Sequence, residues 1–149
     1  MNQLVLLSPG PSITAGMVKS IEESIDCKLP QTYIEFLRSS NGGVPSLRHF
    51  CIPGNANRED VLDYFCGIDH EQRHMDLREI IGSVPNYISH GVVPIGITSS
   101  GSFVALNLQS VDKCIVYVDI ADQLDEEDMK PLYSLADNIQ MFCERLLPW

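Results

Sequence analysis

With 149 residues, 44% of them hydrophobic, the chain has the length of one domain and can bury a core without disulfide staples. Its formal charge of −10 argues against nucleic acid, whose binding rests on Lys and Arg meeting phosphates, and favours a basic partner. The five cysteines are odd in number, scattered and without a C-x-x-C pair, which fits free thiols in a reducing compartment. The opening MNQLVLLSPGP lacks the basic start and long apolar stretch of a signal peptide. No run approaches the roughly 18 apolar residues that would span a bilayer. A cytoplasmic setting with no membrane partner is the expectation.

There is no repeat, low-complexity tract or linker-like shift in composition, so residues 1–149 are expected to form a single domain with its core at about 12–147. The spacing of Ile13, Met17, Ile21 and Ile25, with Val18 beside them, predicts a helix from Ile13 to Asp26, with Ser12 as its N-cap. In LPQTYIEFLRSSNGG, Pro30 suits a first helical turn and Leu29, Tyr33, Phe36 and Leu37 form one apolar stripe. Asn41 and Gly42 tolerate the left-handed conformation that closes a helix, so they are read as its cap. LRHFCI (47–52) and VLDYFCGI (61–68) read as two strands about the turn-rich PGNANRED. Asp76 is placed to cap a helix through Leu77, Ile80, Ile81 and Val84 that Pro85 kinks or ends and Gly91 closes. VVPIGI, SFVALNL and CIVYVDI then predict an antiparallel meander joined by Ser99-Ser100-Gly101 and by residues 109–113. SFVALNL is apolar on both faces and should lie centrally. A last helix is expected from Ser134 to Leu147, carrying Leu135, Ile139, Phe142 and Leu146 inward. Helices before and after a meander define an α+β domain, a mainly antiparallel sheet flanked by helices.

Three groups of residues invite chemistry. Asp69-His70-Glu71-Gln72-Arg73-His74-Met75 contains H-E-x-x-H, in which two histidines one helical turn apart share zinc and the glutamate is the general base of a metalloprotease. That geometry needs a helix with a packed apolar face, whereas Asp69, Gln72, Arg73 and Asp76 surround the histidines, and Arg73 would set a cation beside the metal. An exposed polar loop is the simpler reading. His49 and Cys51, two apart on one strand, face the same side and permit a nucleophile–base pair, although coincidence explains them as well. Asp119, Asp122, Asp125, Glu126, Glu127 and Asp128 concentrate acidic charge within ten residues. A solvated loop is the commoner meaning of such a run, and a partner-facing surface the sharper one.

The chain resembles the SUKH superfamily, which includes fungal cell-wall synthesis regulators and bacterial immunity proteins. The likeness rests on Glu22 in the first helix; on Leu29, Pro30, Tyr33, Phe36 and Leu37 leading into Asn41, Gly42 and Gly43; and on VVPIGITSSGSFVALNL with its turn at Gly101. It departs after Gly101, where many members carry Asp or Asn and this chain has Ser102, so no functional role is carried over to that residue. The resemblance implies a SUKH-like sheet flanked by helices and a protein that works by binding another protein, without catalysis, cofactor or metal. An immunity protein that neutralises a basic toxin, such as a nuclease, follows as the leading expectation. A regulatory scaffold like the fungal members is the alternative, and a zinc protease through His70, Glu71 and His74 the remote one. The motif residues are expected to be mainly structural, and Asp119 to Asp128 the partner-binding candidate.

Overall fold

The structure, a computed structural model, describes residues 4–53, 58–109, 114–122 and 130–148. Parts of the expected turns at 53–60 and 109–113 lie outside these residues.

The chain enters as an extended strap whose β1 (Leu6–Leu7) pairs antiparallel with β2 (Val44–Pro45). Helix α1 (Ala15–Ile25) follows and α2 is Gln31–Ser39. Val18, Ile21 and Ile25 are buried, with Ile13 and Met17 packed partly against the same core, as the four-residue spacing requires. The N-cap is Thr14 rather than Ser12: its side chain accepts the Met17 amide. Helix α2 begins after Pro30 and buries Tyr33 and Leu37.

Its end corrects the expectation for Asn41. Helix α2 closes at Ser40 in an extended conformation, so Asn41 caps nothing. Asn41 is instead buried and spans two other segments. Its Nδ2 donates to the carbonyls of Pro11 and Ile68, both at 2.8 Å, and its Oδ1 accepts the Ile68 amide at 2.7 Å. Gly42 is left-handed at φ 72°, and a Cβ there would lie 2.7 Å from the Cys66 carbonyl group and the Gly67 nitrogen. The glycine lets the corner after α2 press on the end of a strand.

Among the described residues the main sheet has six strands in the order β3-β4-β5-β6-β7-β8, every neighbouring pair antiparallel. They are β3 (His49–Cys51), β4 (Glu59–Phe65), β5 (Val92–Thr98), β6 (Phe103–Asn107), β7 (Ile115–Val118) and β8 (Leu132–Ala136). Between β4 and β5 come a 3-10 turn at Arg73–Met75, α3 (Leu77–Ser83), capped by Asp76, and α4 (Pro85–Ser89). Gly91 follows at φ 74°. Strand β6 is interior and apolar on both faces, as expected. Val104 and Leu106 face the main core, while Ala105 joins Tyr87, Val92, Val116 and Val118 in a smaller cluster.

The expected terminal helix over Ser134–Leu147 is only half present. Leu132–Ala136 forms β8 against β7, and α5 is Ile139–Glu144, with Asn138 accepting the first-turn Met141 amide. Leu135, Ile139, Phe142 and Leu146 are all buried, so the inward residues were read correctly while the first of them points inward from a strand. The sheet curls until its two edges meet α5 and the segment after it. The amides of Arg48 and His49 donate to the Leu147 carbonyl, the Leu147 amide donates to His49, and Arg145 donates to the Leu135 carbonyl of β8. The result is the α+β architecture expected, an antiparallel sheet wrapped around helices.

Candidate partner-binding end of the sheet

Antiparallel order places alternate connections at opposite ends of a sheet. The β3–β4 turn, the β5–β6 turn and the long β7–β8 connection therefore share one end. The acidic segment belongs to the last of these. Of its six candidate residues, Asp119 and Asp122 are described; Asp125, Glu126, Glu127 and Asp128 lie outside the described residues.

Asp119 is turned inward. It is 7% exposed, forms an ion pair with Arg58, and accepts the Ala121 amide at 2.8 Å. The Arg58 guanidinium lies 5.7 Å from the Tyr117 ring centroid and 5.3 Å from that of Tyr133, so its charge is held by a carboxylate and two π-faces. Lys130 returns from the far side of the acidic segment and donates to the carbonyls of Ile120 and Asp122. The two stems of the connection are thereby pinned together. Ile120, on the first stem, has 56% of its surface exposed, its Cδ1 close over Gly101.

Beneath these stems lies a polar cluster that sequence reading missed. Asp60 accepts the hydroxyls of Tyr117 and Ser100, each at 2.6 Å, and the Val61 amide at 2.7 Å. The Ser100 oxygen is 3.0 Å from the hydroxyls of both Thr98 and Ser102. Ser102, fully buried, accepts the Ile120 amide at 3.0 Å. Burial alone would push the Asp60 carboxyl up, but the hydroxyls of Ser100, Tyr117 and Thr98 and the Val61 amide together hold it below its ordinary value. The Tyr117 phenol is pushed up by burial and by its bond to Asp60. Gly101, at φ 85°, closes the β5–β6 turn that brings these hydroxyls together. A signal for Asp60 was present: extending the strand VLDYF back by two residues places Asp60 in phase with buried Leu62.

The other motif residues serve the fold. Glu22 accepts the Leu29 amide at 2.8 Å, tying α1 to the start of α2. Leu29, Tyr33 and Leu37 are buried, Phe36 meets Phe65 edge-on at 4.9 Å, and Gly43 bonds to Phe65 in both directions. The Tyr33 phenol is pushed up by burial.

His70 and His74 lie on no common helical turn. His70 precedes the 3-10 turn and is buried rather than in an exposed loop, whereas His74 is exposed and meets Tyr64 edge-on. Both ring nitrogens of His70 are engaged, with the Ser8 carbonyl at 2.8 Å and the Gln72 amide at 2.9 Å. Among the described residues no three His, Cys, Asp or Glu side chains are grouped as metal ligands. On β3, the His49 Nε2 is 2.9 Å from Glu59 and Cys51 is exposed. Burial pushes the Cys66 and Cys143 thiols up to about 12, which keeps them protonated and unreactive. Among the described residues no helix is long and apolar enough to cross a membrane.

The elements and their order are those of an α+β domain. Residues 12–145 match the model of the SMI1 / KNR4 family (SUKH-1), and the chain belongs to that family. The family covers immunity proteins and regulators, is generally non-catalytic and points to protein–protein interaction. No curated protein matches the chain.

Proposed function

We propose that the protein is a cytoplasmic immunity protein that neutralises a toxin by binding it directly, without catalysis, through the acidic end of its sheet. The observation that carries this reading is the pinned acidic connection. Arg58 and Asp119 close one side and Lys130 bridges the stems, so six acidic residues are concentrated on a connection whose base is fixed. Such charge density costs self-repulsion that folding alone does not require, and a cationic cleft relieves it. A nuclease cleft is cationic because it binds phosphate, and acidic side chains can occupy it in phosphate's place. Asp119 contributes by holding the stem; Asp122, Asp125, Glu126, Glu127 and Asp128 contribute charge to the partner.

The test is kinetic and uses as binding partner a basic toxin domain, sought among the genes that flank this chain's own. Replacing Asp125, Glu126, Glu127 and Asp128 by Lys should leave unfolding cooperative yet slow association by about tenfold or more at low salt, the difference shrinking as salt rises. Equal association rates for parent and variant at low ionic strength would refute the acidic segment as the binding surface.

A further inference from the structure

We propose that His70 is a proton-operated latch on the N-terminal strap, closed by the neutral imidazole and opened by the imidazolium. The Gln72 backbone amide can only donate, and it donates to the His70 Nδ1 at 2.9 Å, so Nδ1 carries no proton. The proton of the neutral ring is then on Nε2, where it donates to the Ser8 carbonyl at 2.8 Å. Both bonds are made in that one state. A second proton must go to Nδ1, where it turns an acceptor into a donor facing another donor.

The strap is poised to respond. Ser8 and Asp69, on the two sides of the latch, are both non-glycine residues at left-handed φ, 54° and 59°, a conformation that persists only while its surroundings hold it. Besides the packing of Leu4 and Leu6 on the core, the strap is held by a two-residue pairing of β1 with β2, the exchange between Val5 and Ser46, the Gly10 amide donating to the Asn41 carbonyl and the Asn41 Nδ2 donating to the Pro11 carbonyl. No compensating charge faces the ring from the strap or from the corner after α2, since residues 4–11 and 41–43 contain no ionisable side chain. Within its own turn, Asp69 is committed to Arg78 of α3 at 2.6 Å, and Asp76 accepts the amides of Asp69 and Arg78. Glu71, Arg73 and His74 are exposed, and Arg73 lies 3.3 Å from Glu79. The strap walls a groove of about 730 Å³ with α2 and α5, so its release alters the surface there.

Amide hydrogen exchange followed by NMR on the full chain tests the latch, with protection corrected for the intrinsic effect of pH. Between about pH 7.5 and pH 5.5, protection of the Val5, Gly10, Ser46 and Gln72 amides should fall about tenfold while core-sheet amides such as Val104 hold. A His74→Gln variant should behave as the parent, and His70→Gln, which keeps a donor but cannot titrate, should show no such fall. Ring nitrogen shifts of the parent at neutral pH should show the proton on Nε2. Strap protection that is flat in the parent, a fall that persists in His70→Gln, or a proton on Nδ1 at neutral pH would each overturn the proposal. The parent and His74→Gln measurements decide it even if His70→Gln does not fold.

Discussion

Single residues carry much of the connection between segments, and their neighbours explain why some were legible in sequence. Gly42 was readable as a left-handed glycine from Asn-Gly-Gly alone, because that conformation disfavours nearly every residue that carries a Cβ. The contact that makes it indispensable was not readable, since it comes from Cys66 and Gly67, just past the end of β4 and distant in sequence. Gly42→Val should cost about 2 kcal/mol or more in urea unfolding, combining a strained φ with backbone overlap. Asn41 was misread for the same reason: its partners, Pro11 and Ile68, lie far away in sequence. Asp60 escaped notice because its strand was begun two residues too late, at Val61 rather than Glu59. Asp60→Asn removes a buried carboxylate that accepts three hydrogen bonds and should cost about 1–3 kcal/mol near neutral pH. The folded Asp60 has a lowered pKa, so its stabilising contribution is present above the unfolded value near 4 and is lost as pH falls through the folded value. The gap between parent and variant in a urea series should therefore narrow below about pH 4.

At the scale of elements, periodicity was reliable where one period ran through a whole segment. Helices α1 and α2, the helical stretch after Asp76 and the strands of the meander all follow from apolar spacing, and their order gave the α+β class. The exception is instructive. Leu135, Ile139, Phe142 and Leu146 repeat at helical spacing, yet β8 claims Leu135 because pairing with β7 satisfies its backbone and the chain turns to helix only after Asn138. Cross-strand pairing is invisible to a local pattern. The cap of α1 shows a finer shift, by two residues. Thr14→Ala should lower stability by about 1 kcal/mol in thermal or urea unfolding, whereas Ser12→Ala should change it little. The reverse result would return the cap to Ser12. The polar cluster under the acidic connection was the least legible part of the candidate site, because it draws on β4, the β5–β6 turn and β7 at once, whereas the acidic run itself is local and plain in the sequence.

For the molecule as a whole, the seam at Leu147 is the feature with the widest reach. Strand β3 is one edge of the sheet, and Leu147 bonds to it in both directions. A chain stopped after Glu144 should remain able to form the meander but expose β3, and should show both a lower urea midpoint and concentration-dependent association in sizing experiments. Unchanged midpoint and monomeric behaviour would show that the seam is incidental. There is also an order in time. Residues 49–51 emerge early in synthesis, whereas the segment that covers them emerges only after the rest of the sheet and the last helix. Until then the nascent chain carries an open template for any other extended polypeptide, including another copy of itself. Contacts so distant in sequence form late and slowly, so crowded translation on one message is the condition under which this protein is most exposed to misassembly.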